Sequence, residues 1–220
     1  MSNRSVFQLE RAITEVFGMT GMGKTRWSKR YLATVPRQII LDIKAEHDGI
    51  LFDDLGAMID HIQNYSTFKV RTYNPDDFDD LCKIAYAAGN CTLVIEEAEG
   101  VMPQSQQRPP NSFRDIVYRG RHERVSILLI AQRPSSVHIS ARSQWNRIIS
   151  FRQTEPADVS WLESVCGYTV NPLELVQGEY LDITPWGYRK KKLDISGNSV
   201  IMEPDDEPDK TVITEEVSDA

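Results

Sequence analysis

The sequence predicts an α/β protein in which helices flank a mostly parallel central sheet and a β-hairpin follows near the C-terminal end. Three observations lead there. Short β-type runs alternate with helical patterns, as expected of a parallel sheet with crossover helices. A glycine-rich loop joins the first such run to the first helical pattern. Two late β-type runs flank Pro185-Trp186-Gly187, a hairpin turn.

Residue type and periodicity predict strands over 13–17, 38–41, 69–73, 92–96, 126–131 and 147–151. Helices are expected over 24–32, 53–63, 75–88, 113–121 and 156–166. The run 13–17 leads into the glycine-rich loop and 25–32 leads out of it. Asp76 and Asp77 favour the positive end of the third helix, and Gly89-Asn90 ends it. The runs 92–95 and 126–131 are apolar, as in buried strands, and each ends on polar residues. The hairpin is predicted over 179–184 and 188–195. Residues 102–112 are rich in Pro, Gln and Arg, have no periodicity, and form the one long internal loop.

A chain of 220 residues has room for one well-buried α/β domain, expected over 1–202. The net charge of −7 would argue against a nucleic-acid partner if it were evenly spread. From Glu203 onward, however, the chain holds eight acidic residues and one basic one, which leaves 24 of each sign in 1–202. The expectation is a neutral body, able to carry a basic stripe, followed by an acidic, disordered tail over 203–220. Cys82, Cys91 and Cys166 have no metal or disulfide spacing and read as buried thiols of a cytosolic protein. His47, His61, His122 and His138 form no ligand pair in sequence. The longest apolar run, 127–131, is far too short to span a bilayer, and residues 1–11 hold no export signal.

The chemistry sits at three strand ends. Gly18-Met19-Thr20-Gly21-Met22-Gly23-Lys24-Thr25 is a complete G-x-x-x-x-G-K-[ST] loop. Its glycines let backbone N–H groups turn inward around a polyphosphate, Lys24 reaches the β- and γ-phosphates, and the Thr25 hydroxyl binds Mg²⁺. After the run 92–95 come Glu96 and Glu97: one carboxylate for the metal and a second to orient and polarise an attacking water. After 126–131 comes Gln132, a neutral amide placed to sense the γ-phosphate and that water. Paired acids mark an NTPase that hydrolyses with its own base.

With these residues in hand, the sequence resembles the FtsK–HerA superfamily of ring-forming DNA-pumping ATPases. The carrying segments are GMTGMGKT at 18–25, LDIKAEH at 41–47, TLVIEEAE at 92–99, GRHERVSILLIAQRPSSV at 120–137 and SQWNRIISFRQTEPAD at 143–158. The resemblance covers roughly residues 13–184. It implies a three-layer P-loop NTPase (ASCE/RecA-like) that uses ATP and Mg²⁺, with Lys24 and Thr25 on phosphate and metal, Glu96 and Glu97 as metal and base positions, and Gln132 as sensor. The superfamily usually has Asp-Glu where this chain has Glu-Glu, so Glu96 reaches one methylene further.

The resemblance also implies a homo-hexameric ring whose sites are completed by a neighbour's arginine. Arg121 is the first choice, then Arg124 and Arg119, with Arg142 and Arg147 behind them. For sequence-independent contact with double-stranded DNA, Arg108 with Gln104, Gln106 and Gln107 could project from the loop 102–112, with Arg114 just beyond it. Lys190, Lys191 and Lys192, beside Arg189, are an alternative strip. A motor with so little outside its ATPase domain is similar to the genome-packaging ATPases of tailless, membrane-containing icosahedral viruses. That implies a capsid-vertex partner and a place in the host cytoplasm or at the virion vertex. A nucleotide-switched assembly factor and a small P-loop kinase stay open as alternatives.

Overall fold

The computed structural model describes residues 11–106 and 108–193. The expected tail, 203–220, lies outside them. The elements in order are β1 (Ile13–Phe17), α1 (Lys24–Leu32), β2 (Arg37–Leu41), β3 (Ile50–Leu51), α2 (Leu55–Asn64), β4 (Phe68–Thr72), α3 (Phe78–Ala88) and β5 (Cys91–Ile95). There follow α4 (Ala98–Val101), α5 (Asn111–Glu123), β6 (Val125–Ala131), β7 (Arg147–Ser150), α6 (Pro156–Cys166), β8 (Glu179–Thr184) and β9 (Gly187–Lys192). The strands form one sheet in the order β3-β4-β2-β5-β6-β1-β7-β8-β9. Pairing is parallel as far as β7 and antiparallel from β7 through β8 to β9.

β5 and β6 are buried along their whole lengths, as strands covered on both faces must be. Alternate residues supply two cores. Phe17, Leu41, Leu93, Ile95, Ile127 and Leu129 join Met58 of α2, Leu81 of α3, Phe113 of α5 and Leu162 of α6. Val16, Ile40, Val94, Leu128 and Ile149 pack instead with Trp27 and Leu32 of α1. The predicted α/β layering is therefore present, with the C-terminal hairpin added to the β7 side of the sheet.

Several boundaries move for local reasons. α2 starts at Leu55 because the Asp54 carboxylate accepts from the N–H groups of Gly56 and Ala57, both at 3.1 Å. The helix expected from 75 opens as a 3-10 turn, Pro75–Asp77, capped by the Asn74 side chain, and becomes α-helical at Phe78. α5 extends at both ends, so the long loop shrinks to 102–110. The near half of that loop is tied down: Gln104 N donates to Ser136 O at 2.8 Å and His138 N to Met102 O at 2.9 Å. β3 and α4 span only two and four residues, too few for any periodicity to show. β9 ends at Lys192, and residues 194–195 of the expected strand lie outside the described residues.

One buried charge pair fastens the hairpin to the sheet. Arg147 of β7 donates through Nε and Nη2 to the two carboxylate oxygens of Asp182 on β8, at 2.7 and 2.6 Å. Burial alone would raise the Asp182 carboxyl, but the bonds to Arg147 and Lys191 outweigh it and hold the group below the usual carboxylate range. Such a depressed group contributes stability above the ordinary carboxylate pKa and loses it as pH falls through the lower folded value. Asp182→Asn is thus expected to lower stability by about 2 kcal/mol at pH 7. In urea unfolding series, the deficit against wild type should shrink as pH drops below about 4.

Candidate active site

Strand register brings the three sequence-predicted groups together. Phe17 pairs with Ala131 and Ile95 with Leu129, so the residues just past each strand emerge at one edge of the sheet. Gly18 N donates to Gln132 O and Met19 N to Arg152 O, both at 3.1 Å, seating the loop on the ends of β6 and β7. Gly18 has φ +149°, and a Cβ there would lie 2.4 Å from Phe151 Cβ, so only glycine fits. Gln177, which no local sequence pattern marks, donates from Nε2 to Gly21 O at 3.0 Å, and Gly178 N donates to Met22 O at 3.0 Å. Lys24 is buried and donates from Nζ to Gly18 O at 2.6 Å and Met19 O at 3.3 Å. Burial lowers its pKa, against the pull of Glu97. Residues 20–25, Lys44, Glu46, Glu96, Glu97 and Gln177 line an open cleft of about 1070 Å³, large enough for a nucleoside triphosphate.

Glu96 and Glu97 leave β5 into different surroundings. Glu96 is 2% exposed; its Oε2 accepts from Lys44 N at 3.2 Å, and His47 Nε2 lies 3.7 Å from its Oε1. Glu97 stands in the left-handed region, φ 49° and ψ 52°, a conformation uncommon for a residue with a side chain. Its carboxylate is bonded to the Lys44 ammonium, and Gln132 Nε2 donates to its Oε2 at 3.4 Å. Burial alone would lower Lys44, but the bond to Glu97 outweighs it and raises its pKa.

Lys44, Glu46 and His47 come from one turn organised by Asp42. That fully buried carboxylate accepts from Glu46 N at 2.9 Å, His47 N at 3.1 Å and Arg71 Nη1 at 3.0 Å. Thr25 Oγ1 donates to Glu46 Oε2 at 2.7 Å. Thr25, Glu46 and Glu96 are hard oxygen donors that suit Mg²⁺. One of the four histidines does meet acids across the fold: ligand atoms of Asp42, His47 and Glu96, all buried, lie within 4.8 Å of one another. Asp42 is already engaged by two peptide N–H groups and Arg71, which leaves His47 and Glu96 as the available ligands there.

The cationic candidates divide. Arg119, Arg121 and Arg124 precede β6, whereas Gln132 follows it. A seven-residue strand, roughly 23 Å, therefore separates them from their own cleft. Arg121 and Arg124 are exposed, and Arg119 pairs with Asp115 at 3.4 Å. Arg142 is buried, bonded to Val137 O and 5.1 Å over the Trp161 ring, and Arg147 is held by Asp182, so both are engaged within their own subunit. The hairpin strip is partly neutralised: Lys190 pairs with Glu179 at 2.9 Å and Lys191 with Asp182 at 3.0 Å, while Lys192 and Arg108 are exposed. Arg114 is half-buried, 3.5 Å from Asn111 Oδ1. Among the described residues no helix is long and apolar enough to cross a membrane. The three cysteines are buried and free.

No protein-family model matches the chain, and no curated protein matches it in sequence. Solved structures do. The genome packaging NTPase B204 from Sulfolobus turreted icosahedral virus 2, in complex with AMPPCP, aligns at 20% identity with TM-score 0.70, over 84% of this chain and 98% of that one. The pCW3 conjugation coupling protein TcpA with ATPγS aligns at 14% identity and TM-score 0.56, over 84% and 61%. The cytoplasmic domain of the Thermomonospora curvata type VII secretion ATPase EccC aligns at 12% and 0.57, over 83% and 23%. These neighbours fit the resemblance carried by the motifs, and at such identities what this chain shares with them is the P-loop NTPase fold, a mixed α/β architecture on a largely parallel sheet.

Proposed function

We propose that the chain is an ATP-hydrolysing DNA translocase of the FtsK–HerA type, and within it a motor that drives double-stranded DNA into a viral capsid. The observation that supports hydrolysis best is the meeting of three strand ends at Gln132, whose carbonyl accepts from Gly18 N and whose amide donates to Glu97. In this reading the loop 18–25 cradles the phosphates through its backbone N–H groups, and Lys24 gives up its loop carbonyls for phosphate oxygens. Glu97 takes the proton of the attacking water, and Gln132 orients that water against the γ-phosphate. Thr25 and Glu96, with Glu46 alongside, would hold Mg²⁺, which would supply charge neutralisation at the phosphates.

The position of Arg121 and Arg124, one strand length from their own cleft, supports service to a neighbour's site in a ring, a homo-hexamer by the superfamily's pattern. Packaging, rather than conjugation or secretion, is favoured by the near end-to-end match with B204, a genome packaging NTPase. The capsid-vertex partner and the place in host cytoplasm or virion belong to the same reading. Arg108, Arg114 and Lys192 are the cations left for sequence-independent phosphate contact, with Lys190 and Lys191 available once their pairs open.

Phosphate release is expected to need Mg²⁺, to stop on chelation, and to rise with double-stranded DNA of any sequence, in a ring-sized species when ATP is present. A DNA-indifferent monomer would overturn the motor, and acceptor-dependent ADP formation would point to a kinase. Lys24→Ala should abolish nucleotide binding in a fluorescent-nucleotide titration. Glu97→Gln should keep binding while kcat falls at least about 10²-fold; normal hydrolysis by that variant would remove Glu97 as the base. Arg121→Ala should lower kcat by roughly 10³-fold in the assembled species while leaving nucleotide affinity alone.

A further inference from the structure

The Gln132 peptide is gripped on both sides, and one of the grips has no role in the hydrolytic scheme. Its carbonyl accepts from Gly18 N at 3.1 Å and from Gln153 Nε2 at 3.3 Å. Its N–H, left without a ladder partner because β6 ends at Ala131, donates to Glu99 Oε1 at 3.1 Å. Glu99 sits on α4, the short helix entered through the strained Glu97. Its other oxygen, Oε2, is buried and has no hydrogen-bond partner. The carboxyl accepts from its own peptide N–H as well as from that of Gln132, yet one buried oxygen is left unpaired, which is costly. A structural role alone would be served as well by a carboxyl with both oxygens satisfied.

We infer that Glu99 is a positioning residue for hydrolysis, holding the Gln132 peptide so that the amide side chain faces Glu97. The inference rests on the hydrolytic reading of the cleft. α4 then carries two acids with separate tasks: Glu97 at its entrance meets the water, and Glu99 just beyond fixes the amide that aligns it. Burial keeps the Glu99 carboxyl above the ordinary range, against the peptide N–H groups of Glu99 itself and of Gln132, which lower it; Glu97 adds a smaller upward push and Lys24 a smaller downward one. The protonated form keeps a carbonyl-type oxygen for the same hydrogen bond, so acceptor geometry is what matters. Nucleotide affinity depends on the loop 18–25 and Lys24, neither of which bonds to Glu99.

The test compares steady-state phosphate release and fluorescent-nucleotide binding for wild type, Glu99→Ala, Glu99→Gln, Gln132→Ala and the double variant Glu99→Ala/Gln132→Ala. The expected result is a kcat loss of about 10²-fold in Glu99→Ala with KM and nucleotide affinity within about threefold of wild type. Glu99→Gln, which keeps the acceptor oxygen, should restore most of kcat. The double variant should be no worse than Gln132→Ala, because Glu99 acts through that residue. Wild-type kcat in Glu99→Ala, a loss confined to KM, a Gln variant as poor as Ala, or additive losses in the double would each overturn the inference. If Glu99→Ala does not fold, Glu99→Met, of similar length without the acceptor, takes its place in the same comparison. An inactive wild type overturns the hydrolytic reading and this one together, whereas an active wild type with an indifferent Glu99→Ala overturns this one alone.

Discussion

Everything at the candidate site depends on the register of three adjacent parallel strands. Because Phe17 lies opposite Ala131, the first residue of the phosphate loop and the first polar residue after β6 arrive side by side and bond as Gly18 N to Gln132 O. Because Ile95 lies opposite Leu129, β5 stops two residues short of that level, and the shortfall is the space in which Glu96, Glu97 and the start of α4 turn. A slip of one residue would send each of these side chains to the opposite face of the sheet. The apolar alternation that fills both cores therefore also sets the chemistry: Leu93, Ile95, Ile127 and Leu129 on one face and Val94, Leu128 and Ile130 on the other hold the strands where they must be.

The same constraint explains what could be read from sequence and what could not. The loop 18–25, the acids after β5 and the amide after β6 are each local patterns, and each was legible because a strand end is written in a few consecutive residues. Glu46 was not, although it lies inside a segment that carries the family likeness. Its contact with Thr25 spans 21 positions and depends on Asp42 capturing the N–H groups of Glu46 and His47. Lys44 on Glu97, His47 beside Glu96 and Gln177 on Gly21 are contacts of the same kind, made across folds of the chain with no local period. The basic run 189–192 was legible as composition, but its partial neutralisation follows from the antiparallel register that sets Lys190 and Lys191 beside Glu179 and Asp182.

Cations and peptide donors stand against the acids of the cleft. Lys44 lies on Glu97, its own N–H on Glu96, and Arg71 on Asp42. Lys24 rests on neutral carbonyls of its own loop, which are weaker acceptors than charged oxygens would be. The strained backbone of Glu97 fits this picture. It lets one carboxylate turn toward solvent and Gln132 while its predecessor, a single residue away, stays buried among Lys44 and His47.

The anchoring of Met102 and Gln104 to the segment 136–138 has a consequence for reach. An eleven-residue loop suggests an arm able to extend toward a distant polymer. Gln106 N, however, bonds back to Pro103 O, and Pro109 is buried. Arg108, exposed and next to buried Pro109, therefore extends from the body by little more than its own side chain. A partner for that guanidinium would have to come to the body of the domain.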